Sequence, residues 1–185
     1  MAWDDDRFDR FVEASIRMAR GQLPGYGYRQ VILPYEPSLE LTCIDELRKL
    51  PGRFQGAGFM AKLIPLAPLV AEAMNRFAGR PLSDSREYMR MESDLGNPRQ
   101  GLLGRTLDLL EPQISSADPE TTIVVLCRLG ALYPFCHVSA LLDGLHARSG
   151  QTTLAVVYPG SADGTQLRFL GLLDPTGGYR GHIVT

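Results

Sequence analysis

Several features that mark specialised classes of protein are scarce or missing in this chain of 185 residues. It has one tryptophan and only three cysteines, Cys43, Cys127 and Cys136. An odd number of cysteines, each in an apolar stretch, predicts buried free thiols and no disulfide framework. No run approaches the roughly 20 uninterrupted apolar residues of a membrane span. The acidic residues Asp4–Asp6 stand where a signal peptide would need positive charge, so we expect a cytoplasmic protein with no membrane contact.

The chain also lacks an excess of either charge. It carries 19 Lys and Arg against 21 Asp and Glu, a formal net charge of −2. A protein that binds nucleic acid through phosphate neutralisation alone needs a strongly basic surface. Arg86, Arg90, Arg99 and Arg105 are close enough in sequence to form a modest basic surface, but acidic residues lie between them. We therefore expect any contact with DNA to be indirect.

Motifs for phosphate, metal and nucleophilic chemistry are missing as well. No Gly-Lys-Ser/Thr phosphate loop occurs, and no G-x-G-x-x-G stands between a strand and a helix. Ser161 directly follows Gly160, unlike the serine of a nucleophile elbow. His137 and His146 are too far apart for the i, i+4 spacing of a zinc-binding pair. These absences predict no cofactor, no metal and no catalytic set, so we expect the chain not to be an enzyme.

Hydrophobic periodicity predicts alternating helices and strands along the chain. The predicted strands are apolar, β-rich runs at 30–35, 59–66, 121–126, 152–158, 166–173 and 179–184. One predicted helix runs from Asp4 to Gly21, and another opens at Pro134. A third predicted helix has an inward stripe made of Leu41, Ile44, Leu47 and Leu50.

The strand, helix and strand within 121–158 have the pattern of a βαβ unit. This alternation predicts an α/β fold, a Rossmann-like sandwich with a mostly parallel sheet of about five to six strands and flanking helices. The C-terminal strands can be antiparallel. At roughly 150 residues per domain, we expect a single domain over 1–185, with an N-terminal helix over 1–21. The segment 84–118 is predicted to be a helical insertion between the two halves of the sheet.

Polar and turn-forming residues follow two neighbouring predicted strands. Arg128 follows one strand, and Tyr158–Gly160 with Asp163–Gly164 follows the next. Ligands of open α/β sheets bind beyond the carboxyl ends of the strands. One hypothesis is therefore a nucleotide- or phosphate-binding protein or enzyme that uses Arg128 and Asp163. The alternative is a structural ion pair between these two residues, with Pro-Gly and Asp-Gly forming consecutive turns.

The most distinctive segments are a Tyr-Pro-Phe run with the helix after it, and a Tyr-Pro-Gly strand end followed by Asp-Gly. Their residues are Tyr133, Pro134, Phe135, Val138, Leu141, Leu142, Tyr158, Pro159, Gly160, Asp163, Gly164 and Leu167. This pattern resembles the BrxB family of bacterial BREX (bacteriophage exclusion) systems. The resemblance is best over 121–185 and weak over 67–118. Ala162 departs from the pattern, where a larger residue is expected.

The resemblance implies a non-catalytic adaptor in an anti-phage defence system. Such systems methylate host DNA and block phage replication. BrxB-like proteins look like partners of PglZ, the alkaline-phosphatase-like component, in assemblies that also hold a large ATPase and a DNA methyltransferase. The absence of a catalytic motif agrees with this role.

An adaptor needs an exposed surface of aromatic, Met and Arg side chains. One candidate surface lies on a predicted helix and consists of Tyr88, Met89, Arg90 and Met91. The alternative for this segment is a helix packed on two sides. A second candidate is the pair of tyrosines in the glycine-rich loop, Tyr26 and Tyr28.

Overall fold

A mostly parallel sheet of six strands forms the centre of the protein in a computed structural model, which describes residues 3–24, 27–75, 95, 101–172 and 179–185. The strands are β1 (Gln30–Tyr35), β2 (Met60–Pro65), β3 (Thr122–Cys127), β4 (Thr153–Asp163), β5 (Gln166–Phe169) and β6 (His182–Ile183). The order β2-β3-β4-β1-β6 is parallel throughout, and β5 pairs antiparallel with the end of β4. The prediction of a Rossmann-like α/β fold is confirmed.

Helices cover the sheet. They are α1 (Asp5–Ala19), α2 (Glu40–Leu47), α3 (Leu50–Gln55), α4 (Leu66–Asn75), α5 (Leu102–Ser115) and α6 (Val138–His146). Short 3-10 helices, Pro37–Leu39 and Leu129–Leu132, follow β1 and β3. The first helix begins where its sequence predicts, because the Asp4 carboxylate accepts the Arg7 backbone N–H at 2.9 Å as an N-cap.

Side chains of the sheet alternate between two apolar cores. In β1, Val31, Leu33 and Tyr35 pack with α1, α2 and α3, whereas Ile32 packs with α4, α5 and α6. The strands β3 and β4 alternate in the same way, because successive side chains of a strand point to opposite faces. Every residue of β1 and β3 is buried, as expected of strands covered on both faces.

The connections leave the carboxyl edge of the sheet in two directions. The β1–β2 connection uses α2 and α3 on one face, whereas α4, α5 and α6 connect the next strands on the other face. Right-handed crossovers that run in opposite directions along a sheet lie on opposite faces. After β4 the chain turns to the second face, where Leu167 and Phe169 join the core. The neighbouring strands β1 and β4 therefore form a switch point, where open α/β sheets bind ligands.

The predicted inward stripe of the helix after β1 is confirmed at Leu47 and Leu50 and wrong at Leu41, while Ile44 is only half-buried. Leu41 is 79% exposed. The segment is divided into a 3-10 helix, α2 and α3, and the buried positions are Cys43, Leu47, Leu50 and Phe54. This spacing of four, three and four residues defines the inward face, and it places Leu41 outside.

Two other predictions near the sheet edge were wrong. Pro134 does not open a helix, because α6 begins at Val138 and Pro134 lies in the loop before it, after a cis peptide bond. The Pro159–Gly160 pair does not form a turn, because β4 continues to Asp163, with Gly160 opposite Phe169 and Ser161 opposite Arg168. Only Gly164 and the residue after it form the turn to β5.

Some predictions fall outside the described residues. These are the candidate partner-binding residues Tyr88, Met89, Arg90 and Met91, with Tyr26 and two arginines of the possible basic surface, Arg86 and Arg99. Within the ranges that the structure describes, no helix has both the length and the apolar character needed to span a membrane.

The close approach of β4 and β5 requires glycine at position 160. A Cβ atom there would lie 2.1 Å from the Arg168 carbonyl oxygen and 2.8 Å from Cε1 of Tyr158. We expect Gly160→Ala to lower the free energy of unfolding by about 3 kcal/mol, because the backbone must shift. Urea denaturation measures this change.

The matched control is Gly164→Ala in the adjacent turn. Its φ of +59° is left-handed, but no atom lies within 4 Å of a Cβ built there. This variant should lose only about 1 kcal/mol, the cost of a left-handed alanine. Equal losses in the two variants would contradict the steric explanation.

Candidate functional site

Exposed apolar side chains concentrate at one edge of the sheet. Among the described residues, the large hydrophobic side chains that are exposed are Leu41 (79%), Met60 (63%), Tyr133 (40%), Phe135 (45%) and Leu172 (67%). Met60 begins β2 and so lies at the amino edge. The other four belong to segments that follow β1, β3 and β5, and hydrogen bonds and an ion pair hold these segments at the carboxyl edge.

Tyr133 and Phe135 follow β3 through a tight backbone turn. The Tyr133 N–H donates to the Gly130 carbonyl at 3.1 Å, and the Phe135 N–H donates to the Leu132 carbonyl at 2.9 Å. Leu129 and Leu132 are fully buried and anchor this segment on the core. The two aromatic rings therefore project from a well-held loop.

Leu172 lies on the same side of the molecule. The Leu170 N–H donates to the Pro159 carbonyl at 2.9 Å, and Pro159 is level with Tyr35 at the end of β1. A Cβ on Gly130 would lie 3.9 Å from Cδ2 of Leu170. The chain after β5 thus runs beside the 3-10 helix after β3, which brings Leu172 to the carboxyl edge.

A polar group of three side chains lies at the same edge. The buried Tyr35 hydroxyl donates to Oε2 of Glu40, and Oε1 of Glu40 lies 3.8 Å from Nε of Arg128. The Arg128 side chain is 50% exposed, and its backbone is left-handed with φ of 58°. Such a conformation is uncommon for a residue other than glycine and is found at functional sites.

The predicted pair of Arg128 and Asp163 does not form. Among the described residues, the carboxylate within ion-pair distance of Arg128 is Glu40. Asp163 lies instead at the far end of β4, opposite Gln166. The cause is the extension of β4, which carries Asp163 past the strand ends to the tip of a hairpin.

Other residues of the Tyr-Pro-Gly motif have structural roles. Tyr158 is fully buried, its hydroxyl lies 3.2 Å from that of Tyr179, and its ring centroid lies 5.7 Å from that of Phe169. Gly160 permits the close approach of Arg168. This motif therefore positions the hairpin, whereas the Tyr-Pro-Phe motif presents side chains to solvent.

His137 and His146 lie at opposite ends of α6. His137 precedes the first residue of the helix, and His146 ends it, stacked on Tyr28 with ring centroids 3.9 Å apart. Arg180 donates to the Tyr28 hydroxyl. In the part of the chain that the structure describes, no three His, Cys, Asp or Glu side chains are grouped as a metal site would require.

Sequence reasoning missed three residues of this edge: Glu40, Leu41 and Leu172. Leu41 was assigned to the core, and neither Glu40 nor Leu172 was considered. The one available signal was position, because Glu40 and Leu41 begin the helix that follows β1, at the edge where ligands of α/β sheets bind.

The cysteines of the chain are free and buried, as predicted. Burial, together with the smaller effect of the Glu40 carboxylate, raises the pKa of the Cys127 thiol to about 11, although Arg128 acts in the opposite direction. Burial also raises the pKa of the Cys43 thiol. The pKa of the Tyr35 hydroxyl is raised by burial and by its hydrogen bond to Glu40. All three groups therefore stay protonated in the folded protein at pH values where they ionise in the unfolded chain.

This shift predicts a loss of stability in alkaline solution. A folded-state pKa above the unfolded value of 9.0 stabilises the fold below pH 9, and this contribution declines as the pH rises towards about 11. The free energy of unfolding in urea should fall between pH 9 and pH 11. Cys127→Ala should show a shallower decline, because one of the titrating groups is removed. An identical slope in both proteins would contradict the assignment to Cys127.

Comparison with known families identifies the chain. The model of the family described as BREX protein BrxB matches residues 84–183, more than half of the sequence. The match extends over 84–118, where the resemblance of the motifs is weak, and includes all the motif residues from Tyr133 to Leu167. No curated protein and no solved structure gives a match. The chain belongs to the BrxB family, and it is therefore a component of a BREX defence system.

Proposed function

We propose that the chain is a non-catalytic adaptor that binds the PglZ-like, alkaline-phosphatase-superfamily component within a BREX complex. Membership of the family supports a role among the proteins of that system. The observation that carries the adaptor role is the exposure of Tyr133 and Phe135, at 40% and 45%, inside the matched region.

The exposure of these rings is informative because the loop that holds them is firmly anchored. Burying a large apolar side chain stabilises a protein by about 1.5–3 kcal/mol. Neither Tyr133 nor Phe135 makes full use of that contribution in the isolated chain. Aromatic residues dominate the binding energy of many protein interfaces. A partner that covers both rings would therefore gain the free energy of burial that folding of the isolated chain does not provide.

The surroundings of Arg128 fit protein binding better than nucleotide binding. The Glu40 carboxylate lies 3.8 Å from the guanidinium and offsets part of its charge, so little positive charge is left for a phosphate, which carries more negative charge than the single carboxylate of a protein side chain. The net charge of −2 also supports contact with DNA through partners, such as the large ATPase and the DNA methyltransferase. The adaptor role requires no cofactor.

Co-purification tests the proposal. The full-length chain carrying an affinity tag is expressed together with its genomic neighbours and isolated at physiological salt. We expect the PglZ-like component to remain bound in a defined stoichiometry, because an adaptor must hold its partner stably. Size-exclusion chromatography with light scattering measures that stoichiometry.

A double variant, Tyr133→Ser with Phe135→Ser, removes both rings from the exposed loop and tests whether they hold the partner. Circular dichroism should show an unchanged fold, and the PglZ-like component should be lost from the purified complex. The adaptor role is contradicted if the unaltered chain retains no PglZ-like component, or if ATP, but no protein, raises its melting temperature.

A further inference from the structure

We propose that the partner docks end-on against the carboxyl edge of the sheet and contacts Leu41 and Leu172 as well as the Tyr-Pro-Phe loop, with an acidic group placed against Arg128. This inference rests on the proposed function and defines the surface that carries it. We call Leu41, Arg128, Tyr133, Phe135 and Leu172 the edge surface.

The distribution of apolar side chains supports a single surface. Leu41 and Leu172 are 79% and 67% exposed, although they come from distant parts of the sequence. Leu41 adjoins Glu40, whose carboxylate lies 3.8 Å from Arg128, and on the other side the Leu170 side chain lies close enough to Gly130 to be within 3.9 Å of a Cβ built there. An exposed apolar group assembled from three segments is typical of an interaction site.

The charge at the centre of the edge surface determines the kind of partner. Arg128 is half exposed, and its separation of 3.8 Å from Glu40 exceeds the roughly 2.7–2.9 Å of a charge-assisted hydrogen bond. The other oxygen of Glu40 accepts the Tyr35 hydroxyl. Glu40 is therefore held by Tyr35 and engages Arg128 only loosely. A carboxylate from the partner can approach Arg128 more closely than Glu40 does.

The same charge disfavours a second copy of the chain as the occupant. In a symmetric dimer each surface meets an identical one. Edge-to-edge association with the two-fold axis at Arg128 would bring two Arg128 side chains towards each other, while each Glu40 already accepts the hydroxyl of its own Tyr35. A different protein with apolar side chains around an Asp or Glu would complement both the apolar side chains and the positive charge of the edge surface.

Equilibrium binding of purified, full-length proteins tests the inference. The chain and its variants are titrated with the purified PglZ-like component, and the fold is checked by circular dichroism. Leu41→Ser and Leu172→Ser should each weaken binding by about fivefold, the loss typical of an energetically important contact. Both side chains are too exposed for their replacement to affect folding. The matched control is Met60→Ser, which removes a side chain of similar exposure, 63%, from the amino edge and should leave affinity unchanged.

Variants of the ion pair test the charge. Arg128→Gln should weaken binding by about tenfold and reduce its dependence on salt, because a charge pair with the partner is lost. Glu40→Gln retains an acceptor for Tyr35 but removes the competing charge, so affinity should be equal or higher.

The outcomes separate the two proposals. If the unaltered chain does not bind the PglZ-like component, the proposed function fails. If it binds and the Leu41, Leu172 and Arg128 variants bind as tightly as the Met60 variant, the function stands and the edge surface is wrong. Dimerisation of the chain that Leu41→Ser and Leu172→Ser abolish would also overturn the inference, because a second copy would then occupy the surface.

Discussion

The whole architecture depends on the burial of the central strands on both faces. The side chains of β1 and β3 are buried without exception, and those of β4 are buried as far as Gly160. Such strands are stable only between two layers of helices, so the chain must supply α1–α3 on one face and α4–α6 on the other. Because helices occupy both faces, a partner can contact the sheet only at the ends of its central strands or along its outer strands.

This constraint explains why the family motifs have different physical roles. Tyr158 and Gly160 lie where β4 leaves the central sheet, and they hold the β5 hairpin against the core. Tyr133 and Phe135 follow β3 at the same level, but their rings face solvent. We propose that the first of these motifs sets the conformation of the edge and that the second recognises the partner. The Tyr35–Glu40–Arg128 group lies between the loops after β1 and β3 and supplies the charge.

The sequence predicts the elements better than it predicts the edge surface. The strand β1 and the cap of α1 were predicted correctly, because a bounded β-rich run and an N-terminal aspartate are local signals. The extension of β4 was not, because pairing with β5 overrides the turn preference of Pro159–Gly160. Leu41 was assigned to the core because helical spacing does not show which of two stripes faces inward. The edge surface combines three distant segments, and such a juxtaposition exists only in the fold.

Hydrogen–deuterium exchange of the chain, alone and with the PglZ-like component, tests whether the partner binds the carboxyl edge. Binding there should slow exchange in the 3-10 helix and loop over 128–136, at the start of α2 and around Leu172. Exchange at the amino edge, including Met60, should be unchanged. Protection confined to the amino edge or to a helical face, with 128–136 exchanging as in the free chain, would contradict the account.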